Sequence, residues 1–540
     1  MPYSRRGITC LRSGCGNPRA KQGIDSTLFC RLNRKHERTK LMNMKKRILQ
    51  NRMTAKALMI MLLLGVVRDI YAYDFSAVCE TGQTLYFNII DSENYYVELT
   101  YPGNNEVYSW TGFDSPSGNI TIPSFVNVDN QVYEVTAIGN YAFSTCNGLT
   151  GSLIIPNTVN TIGNWAFRSC SGFNGILSIP NSVTTIGTGA FSNCHGFTGD
   201  LVIPNSVTTI KSSAFEQCYG FNGYLTISNS ITNINTGVFF NCHGFIGSLD
   251  IPNSVKWIFD AAFSGCSGFT GSLNIPNSVS QIGEEAFSNC SGFDGALILG
   301  NSVRTLGYHA FVDCSNFSSL ICLASTPPTI EWNAFYRFPM SIPIYVPYNT
   351  INSYMATSIW NEFTNYQEIA YITISCYNGN ADNWAFIASP LAENTAPTTV
   401  DNLITETAYD LYQFNPSDTL GEWQNYKAHT DDFNLVNGRG YLYANENEVN
   451  IIFKGTFNED ESKEVNIVYD ADNERKCWNL VGNPFPCNAY LDREYYMLKE
   501  DGSGINPEAV PVSTPIPPCT GVFVKAESEG ETAVFTRAVP

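Results

Sequence analysis

The stretch "CSGFTGSLNIPNSVSQIGEEAFSNC", residues 266–290, opens and closes on cysteine. The same 24-residue interval separates Cys146, Cys170, Cys194, Cys218, Cys242, Cys266, Cys290 and Cys314. Sliding the chain by that interval brings much more than cysteine into coincidence, and self-similarity at a fixed period of this size marks a solenoid. Each unit reads C-x-G-F-x-G-x-L-x-I-P-N-S-V-x-x-I-G-x-x-A-F-x-x. A phenylalanine recurs from Phe143 to Phe335, a leucine file runs from Leu153 to Leu297, and an isoleucine file from Ile155 ends at Leu299. The last two files lie two residues apart and share one strand face. One unit offers roughly 1.5–3 kcal/mol per buried large apolar side chain, against roughly 1–2 kcal/mol of ordering cost per residue. A single coil therefore does not fold alone, whereas stacked coils bury one another's faces.

This register predicts the role of the eight thiols. Each follows the core Phe by three residues and stands above and below another Cys, which describes a buried file of small, weakly polar hydrophobes. Stacked side chains pointing in parallel have poor disulfide geometry. The absence of C-x-x-C pairs argues against zinc. A parallel file from Asn157 to Asn301 is read as bonding backbone groups where the strand turns. The glycines Gly172, Gly196, Gly220, Gly244, Gly268 and Gly292, with a second file from Gly175 to Gly295, are expected at corners with positive φ.

"IPNSVTTIGTGAFSNC", residues 179–194, and its copies resemble the BspA-type leucine-rich repeats of bacterial surface proteins, over about residues 133–370. The resemblance implies a right-handed solenoid outside the cell that serves adhesion. The pattern lapses at Lys211, Asn235 and Phe259, where Gly is usual, and at Ser228 and Gly300, where Pro is usual; each lapse is expected to loosen one corner. The fold class is mainly β: a leucine-rich-repeat solenoid of 24-residue coils followed by a β-sandwich-like domain.

Around the repeats, residues 1–43 are basic and unpatterned and read as a non-native upstream extension. Residues 44–72 carry a basic start and the apolar run "ALMIMLLLGVV", the layout of a signal peptide. Residues 73–132 alternate apolar and polar positions as an N-terminal β cap. Residues 133–370 hold the solenoid and its C-terminal cap, with a strand expected at 343–347 and a helix at 349–360. Residues 371–540 lose the period and show strand-like runs at the spacing of a sandwich. There "NWAFIASPL" and "CWNLVGNPF" read as two copies that pair as equivalent central strands. Pairing among Cys376, Cys477, Cys487 and Cys519 is left open, with Cys477–Cys487 the nearest couple in sequence.

Residues 1–72 hold 16 of the 31 Lys/Arg and 3 of the 49 Asp/Glu, so the remainder stands near −31. So acidic a body repels nucleic acid and anionic lipid. Five histidines, with no phosphate loop and no metal or calcium motif, predict no enzyme and no cofactor. The outward strand positions, among them Ser152/Ile154, Ile176/Ser178, Tyr224/Thr226 and Ala296/Ile298, vary while the core repeats, as expected of a binding wall. Tyr219, Tyr224, Phe240, Lys256 and Trp257 interrupt the repeat and form the candidate ligand face, because exposed aromatics often anchor interfaces. The expected partner is an extracellular protein or glycoprotein met by a secreted or surface-held chain without a membrane span after signal cleavage. Two alternatives are carbohydrate binding by the C-terminal sandwich and a spacer that binds nothing.

Overall fold

Apolar residues repeating in register at 24 make one coil the natural lid of the next, and the computed structural model realises this stack. It describes residues 73–103, 110, 113–374, 384–404, 409–416, 423–428, 430, 433–446, 448–499 and 504–538. The segments expected to be an upstream extension and a signal peptide, residues 1–72, and Cys376 lie outside the described residues.

Each coil has three sides, and all three carry ladders between coils, the first side in separate segments with no strand pairing between Leu177–Ser178 and Leu201–Val202. The first side is a short strand at the Leu-x-Ile step, paired in parallel at exact register, Leu201 with Leu225 and Leu273 with Leu297. The second is a two-residue strand at the next Ile, pairing Ile162 with Ile186 and Ile258 with Ile282. The third side, around Ala-Phe, is not a strand, yet Trp165, Phe167 and Ser169 donate backbone N–H bonds to Thr188, Ala190 and Ser192 of the next coil at 2.7–2.8 Å. Alternating conformations make this possible. The residue before Ala-Phe and the residue before Cys both sit at positive φ, as at Trp165 (56°), Ser169 (58°), Gln217 (57°) and His309 (55°). Left-handed backbone is uncommon for non-glycine residues; here it recurs every coil because it aims successive N–H groups along the stack.

The corner glycines need correction. Gly172, Gly196, Gly220, Gly244, Gly268 and Gly292 have no positive φ. A Cβ at Gly196 would lie 1.9 Å from the Phe173 carbonyl oxygen, and one at Gly220 would lie 2.0 Å from that of His195. These positions are glycine because the preceding coil's backbone passes where a side chain would stand. Only part of the second file, Gly199, Gly247 and Gly271 among them, has positive φ; Gly175, Gly223 and Gly295 meet the neighbouring coil instead.

The core is two stacks of phenylalanine. One runs Phe143–Phe167–Phe191–Phe215–Phe239–Phe263–Phe287–Phe311–Phe335 with centroids 5.1–5.8 Å apart. The other joins Phe173 through Phe317 at 4.9–6.0 Å. Where the repeat lapses the ladder breaks: the second-side sheet ends at Thr209–Ile210 and a separate one begins at Asn233–Ile234. Asn235 repairs the gap in part, its side-chain N–H donating to the Ile210 carbonyl at 2.5 Å. Ser228 does the same with its hydroxyl on Val207 at 2.6 Å.

Three antiparallel strands, Phe75–Val78, Thr84–Asp91 and Tyr96–Thr100, cap the first coil, and the last of them pairs in parallel with Gln131–Ile138 of the second side. At the other end the strand is Ile344–Pro347, but the helix is only Ile351–Met355, followed by a 3-10 turn at Trp360–Glu362. The helix stops short because Trp360 turns inward, buried, its indole N–H bonded to the Pro328 carbonyl at 2.8 Å.

The boundary expected at 370/371 falls inside one strand, Tyr366–Ile374. That strand continues the first-side sheet from Ile344–Pro347 and then pairs antiparallel with Val449–Lys454 of the C-terminal region. The rest of that region is antiparallel sheet arranged as a sandwich. The two copies do not pair as one ladder: Trp384–Ala388 pairs with Gly440–Asn445, and Trp478–Gly482 with Gly521–Lys525. Each copy takes its own Gly-led partner, and the pairs meet at glycines, since a Cβ on Gly482 would lie 2.4 Å from that of Ala388. Cys477 and Cys487 are both free thiols; Cys477 is buried and donates to the Asp470 carbonyl at 3.3 Å.

Candidate functional site

The thiol file is a structural element. All eight are at most 1% exposed and none is in a disulfide. From Cys170 onward each S–H donates to the backbone carbonyl of the core Phe in the preceding coil, for example Cys170 to Phe143 at 3.0 Å, Cys194 to Phe167 at 2.9 Å and Cys290 to Phe263 at 3.1 Å. Valine would fill the space but could not donate; serine would donate but bury a stronger polar group. Burial raises these thiols, Cys242 and Cys314 to about 12, so no reactive thiolate forms near neutrality. Among the described residues no group of three or more His, Cys, Asp or Glu is placed to hold a metal ion.

The five residues expected to form one ligand face lie on different sides of the coil. Tyr224 directly precedes the first-side strand Leu225–Thr226, while Trp257 and its neighbour Lys256 belong to the second side, at strand Trp257–Ile258. Phe240 lies on the third side, next to the ladder Phe239. Tyr219 occupies the corner after Cys218. There it stacks between His195 and His243 with centroids 5.0 and 5.1 Å apart and planes within 9°. The repeat spacing that aligned the core also aligns these three rings.

The outward wall of the first side, two positions wide in each coil, divides in two along the stack. Ile154, Ile176, Val202 and Tyr224 are 63, 52, 52 and 59% exposed. Further along, Ile298, Ile321 and Tyr345 on the same wall pack with Ile369, Tyr371 and Ile452 in an apolar cluster beneath the C-terminal region. Ser248, Asp250, Ser272 and Asn274 form a polar interval between the halves. The covered end is fastened by Asn277, whose amide donates to Asn450 at 2.7 Å and to Thr373 at 3.4 Å. Asn277 also accepts the Asn301 backbone N–H at 2.9 Å, as Asn205 accepts that of Asn229 at 3.0 Å. The Asn file thus bonds along the stack, and one member also reaches the next sheet.

A second feature lies in the sandwich. Phe414, Trp423, Trp478, Tyr496 and Phe523 line an open cleft of about 540 Å³ with Asn506 at its edge. Phe414 and Trp423 stand 5.0 Å apart, and Trp478 and Tyr496 likewise 5.0 Å. Sequence reading took in Trp478, within "CWNLVGNPF", but neither Trp423 nor Tyr496, because strand partners, not spacing, converge the rings.

The family model described as "BspA type Leucine rich repeat region (6 copies)" matches residues 122–246, 198–295, 243–356 and 295–413, together more than half of the chain. The chain belongs to the BspA-type leucine-rich repeat family. The BspA-type match ends at residue 413, before every residue of the aromatic cleft. No curated protein matches the chain. Three solved structures are similar to it over about half its length. They are a leucine rich cell surface protein from Faecalibacterium prausnitzii (19% identity, 54% of this chain and 94% of that one, TM-score 0.31), a leucine-rich repeat protein from Bacteroides ovatus (22%, 55% and 100%, 0.25) and the pneumococcal vaccine antigen PcpA (13%, 54% and 98%, 0.21).

Proposed function

We propose that this BspA-type chain is a secreted or cell-surface adhesin without catalytic activity, and that it binds an extracellular protein or glycoprotein through the uncovered half of its first-side wall. The observation that carries this reading is the contrast along one two-position-wide wall. Its outward apolar positions are buried against the chain's own sandwich at one end and stand open over four consecutive coils at the other. Exposed apolar patches of this kind mark interaction surfaces, and rigid strands hold the side chains at fixed spacing. Among the described residues no helix is long and apolar enough to cross a membrane.

The test immobilises the full chain and its double variant Ile176→Asp/Tyr224→Asp, then measures retention of purified host-matrix proteins and of microbial surface fractions. The reading expects a ligand held by the native chain and lost at least tenfold by the variant. Equal retention by both refutes it. A second reading, carbohydrate binding by the sandwich, is favoured by the five-ring cleft; Trp423→Ala with an intact solenoid wall separates the two.

A further inference from the structure

On the third side, one register position directly follows the ladder Phe. It holds Arg168, Glu216 and Phe240 in some coils, then Ser264, Ser288 and Val312, then Tyr336. Three short side chains between two rings leave a groove of about 600 Å³ with Phe240 and Tyr336 at its ends. Four coil steps at ~4.8 Å put those ends about 20 Å apart.

The banks of the groove are polar. Glu285 lies 4.0 Å from His309, and Asp313 is paired at 3.1 Å with Arg337, whose guanidinium also lies over the Tyr336 ring. Asn289 is oriented by donating to Ser288 at 2.8 Å. Beside them Tyr308 stacks on Trp332 at 5.8 Å, leaving the indole 70% exposed.

We propose that this groove is a subsite for a short neutral oligosaccharide. Aromatic rings at the ends and rim meet the C–H faces of pyranose rings, while amides and carboxylates held by fixed partners accept and donate to ring hydroxyls. The polar banks, Glu285, Asn289 and Asp313, disfavour an apolar peptide side chain, which would strip these groups of water without replacing it. With Asp313 balanced by Arg337, Glu285 and the chain's net charge of −18 repel uronates, sialic acids and sulfated sugars. The groove is on a different side from the Ile176/Tyr224 wall, so this inference does not depend on the adhesin reading.

The repeat itself supplies the test variant. Because Phe240 and Tyr336 already occupy this position in folded coils, Ser288→Phe fills the groove with a side chain the architecture accommodates. Calorimetric titration of the full chain uses cellotetraose, α-mannotetraose, chitotetraose and lacto-N-tetraose, with tetragalacturonate and 3′-sialyllactose as anionic probes. The inference expects at least one neutral tetrasaccharide to bind. Ser288→Phe weakens that binding at least tenfold, Trp423→Ala and Ile176→Asp leave it within twofold, and neither anionic probe binds. It is overturned if no neutral probe binds, if an anionic probe binds more tightly, if Ser288→Phe changes affinity less than twofold, or if Trp423→Ala abolishes binding.

Discussion

Replacing Gly220 by alanine tests the claim that coil spacing, not backbone freedom, demands glycine at the corner. In most settings Gly→Ala at a compatible φ stabilises by about 0.4–1 kcal/mol through the unfolded chain. At Gly220 the added Cβ would lie 2.0 Å from the His195 carbonyl oxygen and 2.6 Å from that of Phe197, both in the preceding coil. Reaching even 3.0 Å requires the His195 carbonyl to retreat by about 1 Å. That movement prises apart two coils whose Phe197 and Phe221 rings stack at 5.8 Å. Overpacking of this kind costs about 3 kcal/mol, and in a stack the misfit is shared with neighbouring coils rather than absorbed locally. The matched control is Gly271→Ala, where φ is +74° but nothing lies within 4 Å, so the cost is only the left-handed backbone, about 1–2 kcal/mol. Urea unfolding of both variants reads the difference as a shift in midpoint at constant slope. If Gly220→Ala costs no more than Gly271→Ala, the close-approach explanation is wrong.

The thiol file makes stability fall in alkali. Folded-state values raised by burial, to about 12 at Cys242 and Cys314, mean that the unfolded chain loses thiol protons first. The stabilisation is complete below about pH 8.5 and is lost as pH rises toward 12, at about 1.4 kcal/mol per pH unit for each thiol. Unfolding curves between pH 8 and 11 measure the slope, and Cys218→Val makes it shallower by one thiol's share; an unchanged slope contradicts the buried-file reading. Asn277→Ala removes the amide bonds to Asn450 and Thr373, leaving Asn450 only the Thr373 hydroxyl as a side-chain donor, and weakens the sandwich's hold on the wall by about 1–2 kcal/mol. The readout is faster hydrogen exchange in Val449–Lys454, with the coils around Leu177–Ser178 unchanged.

The architecture was largely legible because a strict period transmits each side chain's environment to every copy: one Cys, one Phe and one Leu position, once placed, placed the whole file. The bonds were less so. That cysteine donates to the preceding coil's carbonyl, and that non-glycine residues such as Trp165 carry the left-handed turns, depend on backbone direction, which spacing does not encode. Sequence alone points to the wrong cause for the corner glycines, because a close approach between coils and a positive φ leave the same mark in it. The candidate face was only partly legible. Exposure of Tyr219, Tyr224 and Trp257 followed from their interrupting the repeat, but the coil carries them to different sides. Wherever non-local pairing decides the outcome, the period offers no guide: the strand Tyr366–Ile374 joining solenoid to sandwich, the cleft around Trp423, and the burial of Ile298 and Ile321.

The central claim is that equal coils stack with their cysteines sealed inside, and site-resolved thiol labelling of the native chain tests it most directly. With iodoacetamide at pH 8 and peptide mass spectrometry, the account predicts that half-buried Cys487 is modified while Cys146, Cys170, Cys194, Cys218, Cys242, Cys266, Cys290 and Cys314 stay unmodified until denaturant is added. Rapid labelling of most of those eight in the absence of denaturant would contradict it.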